Sequence, residues 1–134
     1  MSRLDGISLE IGWMKAMNVR VEAATREGVS LKMTVGEEHL QPAGLVHGGV
    51  FSGLIETACS IGALCAAPEG HAVVGAENQS SFLRPVTSGT LTTQARSLYA
   101  GKRSQLWTAD VLDAEGRLVA SGRVRLFCIP PSGQ

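Results

Sequence analysis

"LVHGGVFSGLIETACSIGALCAA", residues 45–67, decides how the rest of the chain must fold. From about Gly48 to Ala66 the stretch is long for a strand and rich in Leu, Ala and Ile, which predicts a helix. Pro68 follows at a distance that stops it. Apolar or small residues surround this helix almost completely, and a helix that is hydrophobic all round is expected to be buried all round. Gly53, Ala58, Gly62 and Ala63 would let other backbone come close. Between His47 and Glu69 there is one charged side chain, Glu56.

A buried helix needs something wrapped around it, and the flanking residues change to a period of two. Val19, Val21 and Ala23, then Glu27-Gly28, then Val29, Leu31, Met33 and Val35 read as a hairpin of two half-buried strands. "HAVVGAENQSSFL" (71–83), "GTLTTQARSLY" (89–99), "SQLWTADVLD" (104–113) and "RLVASGRVRLFCI" (117–129) are four further strands. Turns are expected at Arg84-Pro85, Ala100-Gly101-Lys102 and Asp113 to Gly116. Leu4, Ile7, Ile11 and Met14 have helical spacing, so Leu4 to Met17 is expected to form a short helix on the body. The result is one α+β domain over residues 1–134, an antiparallel sheet of about six strands curled around one long helix. Its edge strands could pair with a second copy, so a homodimer is expected.

Bulk properties narrow the partners. Apolar residues make up 44% and charged residues 18% of the 134, which fits a packed globule. Twelve basic residues balance twelve acidic ones, leaving no electrostatic footprint for nucleic acid or anionic lipid. The three cysteines, Cys59, Cys65 and Cys128, lack paired spacing and give no disulfide framework. No signal-peptide core and no uninterrupted apolar window of membrane-spanning length is visible, so a cytoplasmic protein is the simplest reading.

On a helix over 48–66, Ser52 and Ser60 share the face of Glu56, with Gly49 and Gly53 nearby. The amides near Gly48 and Gly49 fall at the helix N-terminus, where they lack intrahelical partners and carry partial positive charge. Such amides can stabilise an oxyanion, and a carboxylate two turns along can attack a carbonyl or activate a water. The pattern therefore fits an acyl-transfer site. From spacing alone the better reading is an ordinary helix glutamate facing a solvent-filled interface groove, with Gly48-Gly49 only a tight entry turn. His47 either contributes to the site or caps the turn, and capping is the better reading. His39 and His71 read as surface loop residues, and no histidine–cysteine spacing supports zinc. Gly101-Lys102-Arg103 could hold a phosphate or be a solvated hairpin tip. Arg84, Arg123 and Arg125 read as charged strand faces, Trp107 and Phe82 as packing.

The blocks "LQPAGLVHGGVFSGLIETACSIGA", "VVGAENQSSFLRPV" and "GKRSQLWTADVLDAEGRLVASGRVRL" together resemble a hotdog-fold acyl-CoA thioesterase of the 4-hydroxybenzoyl-CoA thioesterase type, in the PaaI-like group. The resemblance runs from the first hairpin to Ile129. It implies that Glu56 is the nucleophile or general base and that the Gly48 amide polarises the thioester carbonyl. It implies that Gln41 and His47 assist and that Ser60 places the attacking water or the carboxylate. It implies that Gly75, Phe82 and Arg84 line the site from the neighbouring subunit, and that Ile61, Leu64 and Phe82 choose an aromatic or medium-chain acyl group. Gly101, Lys102 and Arg103 would meet the phosphates of coenzyme A, which is part of the substrate. Neither a metal nor a separate cofactor is implied, and the assembly would be a homotetramer built as a dimer of dimers. The rival readings are a hydratase or dehydratase of the same fold, with His47 as the one candidate second acid or base, and a non-catalytic acyl-CoA sensor.

Overall fold

A computed structural model of the chain describes Leu4 and residues 7–132. Among the described residues, two α-helices, α1 (Gly12–Met17) and α2 (Gly48–Ala66), and a 3-10 turn at Glu37–His39 accompany six strands: β1 (Arg20–Ala24), β2 (Gly28–Thr34), β3 (Ala72–Phe82), β4 (Thr90–Ala100), β5 (Ser104–Leu112) and β6 (Leu118–Ile129). The strands form one antiparallel sheet in the order β1-β2-β4-β5-β6-β3. α2 packs across its concave face, the hotdog arrangement.

Alternation builds the core. Leu31 and Met33 of β2, Leu91 of β4, Trp107 and Val111 of β5, and Val124 and Leu126 of β6 all point inward. They meet Phe51, Leu54, Ile55, Ala58 and Cys59 on one side of α2. Trp107 packs against the helix at Gly62, where any Cβ would collide with the indole ring. Its indole N–H donates to Gln105 Oε1 at 2.7 Å, and the Gln105 amide donates to the Ala63 carbonyl at 2.9 Å. These buried polar groups are thus satisfied, as burial requires.

Three expectations change. The first helix begins at Gly12 rather than Leu4, because Ile7 and Ile11 are exposed; residues 1–3, 5 and 6 lie outside the described residues. Asn18, in the left-handed region at φ 56°, ends it. Within one chain α2 is not buried all round, because a single sheet covers a single side. Ser52, Gly53, Glu56, Thr57, Ser60 and Leu64 form a half-exposed stripe, over which Trp13 of α1 reaches Gly53. His39 is a buried clamp, not a surface residue. Its Nδ1 accepts from the Gly36 amide at 2.8 Å and its Nε2 reaches the Met17 carbonyl at 2.7 Å, tying the loop before α2 to the end of α1.

Among the described residues α2 is the one helix long and apolar enough to cross a bilayer, and half of it is buried inside the fold as the core helix. β1 and β3 are the sheet edges, and β3 is exposed along most of its length.

Candidate active site

The N-terminus of α2 is built by its cap. His47 holds an extended backbone, and its Nδ1 accepts from the Gly49 amide at 2.7 Å. An accepting Nδ1 places the proton of the neutral ring on Nε2, which is then a donor. The cap leaves the Gly48 amide outside the helix's own hydrogen bonding, at the positive end of its dipole. In the preceding loop, Gln41 Oε1 accepts from the Ala43 amide, so the side-chain NH2 of Gln41 remains available as a donor.

Gln41 and Gly48 border a cavity of about 240 Å³ whose other walls are Leu45, Val46, Phe51, Phe82, Leu83, Arg84 and Pro85. The Phe82 ring lies over Gly48, where an added Cβ would sit 2.6 Å from its Cε2, and its centroid is 6.0 Å from that of Phe51. Only glycine lets the ring and the helix terminus come this close. The cavity therefore joins mostly apolar walls to hydrogen-bond donors, suited to a carbonyl with an apolar substituent.

Glu56 lies on the half-exposed stripe of α2. Its carboxylate lies against Gly75, where the register of β3 on β6 shifts and a Cβ would meet the carboxyl group. Asn78 Nδ2 donates to Glu56 Oε1 at 3.2 Å and to the Ser52 carbonyl at 3.1 Å. Ser80 Oγ donates to Asn78 Oδ1 at 2.6 Å. Asn78 thus supplies the hydrogen bond that holds the Glu56 carboxylate. One turn on, the Cys59 thiol is pushed up to about 12, first by burial and second by the charge of Glu56.

The sequence candidates thus fall into groups. Gln41, Gly48, Phe82 and Arg84 share the cavity. Glu56 and Ser60 lie further along the helix, with Gly75 of β3 against Glu56; from Gly48 to Glu56 is eight residues, about 12 Å at 1.5 Å per residue. Within one chain, Gly75 of β3 lies against Glu56 of α2, and Phe82 and Arg84 line the cavity at Gly48. Ile61 is buried at 6% exposure among core residues and is not among the residues lining this cavity. Leu64 is half-buried at the stripe's far end. Gly101, Lys102 and Arg103 form the β4–β5 turn, closed by the Gly101 amide on the Ser104 carbonyl at 3.0 Å, with both cations exposed. Asn78, Ser80 and Trp13 were not foreseen. The available signal was two polar side chains, Asn78 and Ser80, alternating on one face of an otherwise mixed strand.

Residues 43–120 match the pattern of the thioesterase superfamily. The proofreading thioesterase EntH of Klebsiella pneumoniae is 37% identical over 105 residues, 78% of this chain and 74% of that protein. A Mycobacterium tuberculosis protein named as an unproven esterase is 39% identical over 103 residues, 75% of this chain and 74% of its own. The solved structure of a Haemophilus influenzae thioesterase superposes with a TM-score of 0.85 at 30% identity, covering 90% of this chain and 85% of that one.

Proposed function

The chain belongs to the thioesterase superfamily, and we propose that it hydrolyses acyl-CoA thioesters, with aromatic or medium-chain acyl groups, to free acid and coenzyme A. The observation that carries this reading is Glu56: the one charged side chain of α2, on an open stripe, its carboxylate held by Asn78.

The chemistry follows from the two groups. The Gly48 amide, with Gln41 and His47 Nε2 as further donors, stabilises the thioester oxygen as it becomes an oxyanion. Glu56 either adds to the carbonyl carbon, giving an anhydride that water cleaves, or takes a proton from a water placed by Ser60. In both routes the C–S bond breaks and coenzyme A leaves as the thiolate. No metal or separate cofactor is needed.

One chain cannot do this alone. A carbonyl polarised at Gly48 lies about 12 Å along the helix from its own Glu56, beyond the ~3 Å reach that proton transfer or attack requires. The reading therefore pairs Glu56 of one chain with the Gly48 amide of a second copy. The open stripe of α2 and the unpaired edge of β3 are adjacent, and one homodimer interface would cover both. This replaces the expectation that Glu56 and Gly48 of one chain act on the same carbonyl. The exposed turn Gly101-Lys102-Arg103 would meet the phosphates of coenzyme A, Leu64 and Phe82 would bound the acyl group, and two dimers would form the homotetramer. A cytoplasmic location goes with an acyl-CoA substrate.

Steady-state release of free thiol from benzoyl-, phenylacetyl-, hexanoyl- and octanoyl-CoA tests the reading. Turnover with stoichiometric free acid is expected. Binding without turnover would replace it with the sensor reading, and hydration of an enoyl-CoA with the hydratase reading.

A further inference from the structure

Resting on the reading of Glu56 as the reactive carboxylate, we infer that Asn78 is a positioning residue that fixes which face of that carboxylate meets the substrate, and that Ser80 fixes Asn78. The hydrogen bonds determine the amide's orientation. One side of Asn78 faces two acceptors, Glu56 Oε1 at 3.2 Å and the Ser52 carbonyl at 3.1 Å. A carbonyl oxygen cannot donate, so the nitrogen must occupy that side. The other side faces Ser80 Oγ at 2.6 Å, whose proton goes to Oδ1. Both N–H bonds and the oxygen of Asn78 are therefore committed, and the side chain has a single satisfied arrangement. Ser80 has room for its hydroxyl because residue 122 is glycine; a Cβ there would sit 2.7 Å from Ser80 Oγ.

The consequence for Glu56 is directional. Asn78 holds Oε1, while the backbone at Gly75 bounds the carboxyl group on its other side. A free glutamate on a helix samples several rotamers; this one is pinned between a strand bulge and an amide. The charged or titratable groups nearby do not substitute for Asn78. Cys59 is a buried thiol one turn on, and Glu77 is an exposed side chain 3.9 Å from Arg125 across the sheet.

The test compares native protein with Asn78→Ala, Asn78→Asp and Ser80→Ala, each checked for folding by circular dichroism and thermal melting, using kcat and KM against pH. Asn78→Ala should lower kcat about ten- to a hundredfold with KM changed less than about threefold, as loss of alignment predicts. Asn78→Asp sets a second carboxylate against Glu56, so the acid limb of the kcat profile should move to higher pH by about one unit or more. Ser80→Ala, which leaves both partners in place, should lower kcat about three- to tenfold; it decides the matter if Asn78→Ala does not fold. Folded variants with native kcat and a native acid limb would overturn the inference while leaving the thioesterase reading intact. An inactive native protein would overturn both.

Discussion

Gly75→Ala separates an effect on chemistry from an effect on folding. A Cβ built at Gly75 lies 3.0 Å from Glu56 Cδ and closer still to Oε2. Ordinary carbon contacts lie at about 3.5–4.0 Å, so the carboxylate must retreat by roughly 1 Å. What moves is the end of a flexible side chain, so the cost is the ~0.5–1.5 kcal/mol of an off-rotamer torsion. Gly75 is not among the residues at positive φ, so alanine suits its backbone and returns about 0.4–1 kcal/mol by restricting the unfolded chain. Stability should therefore change by less than about 1 kcal/mol, the difference of those two effects. Turnover should not be spared, since a 1 Å displacement of a catalytic group costs on the order of a hundredfold. Thiol-release kinetics beside a urea melt reads both quantities. Native turnover in Gly75→Ala would refute the placement of Glu56 against β3, and a collapse of stability would refute the claim that only a side-chain end is displaced.

Other outcomes follow from the same structure. Gly48→Val and Glu56→Gln should each be inactive, the first because its side chain would meet the Phe82 ring 2.6 Å from the Cβ position. Refolded together, the two variants should regain activity in mixed dimers if the site joins two chains, and none if it lies within one. Cys59 gives a pH dependence: its folded value, about 12, lies above the ordinary 9.0, so its contribution is complete below about pH 9 and lost as pH rises toward 12. Unfolding free energy between pH 8 and pH 10 should thus fall about 1.4 kcal/mol more in native protein than in Cys59→Ala, one proton over one effective pH unit. Gln105→Leu strands the buried Trp107 N–H, which should cost about 1–3 kcal/mol in a urea melt.

Much of this fold was legible because its signals are local. Helix α2 runs from Gly48 to Ala66 as its composition and Pro68 required, and all six strands appear where the period of two placed them. The unread parts depend on contacts distant in sequence. His39 sits in a turn-rich segment that reads as surface, yet its ring is buried by reaching the Met17 carbonyl 22 residues away. The register shift between Gly75 and Glu77 cannot be seen in β3 alone, and it is part of how Asn78 comes to face Glu56. Ile61 illustrates what helical geometry does make legible: five residues beyond Glu56 is about 140° around a helix, on the buried side. The stripe of α2 shows the opposite limit. Its apolar composition foretold complete burial, which one chain does not provide and a second copy would.

The most direct test of the central claim is thiol release from benzoyl-CoA by native protein and by Glu56→Gln, which keeps the side chain's size and removes its charge. The account predicts measurable native turnover and a loss of at least about a hundredfold in kcat for the variant, as removal of a nucleophile or general base requires. A folded Glu56→Gln protein as fast as the native one would contradict it, and would return Glu56 to the role of an ordinary polar residue on an interface helix.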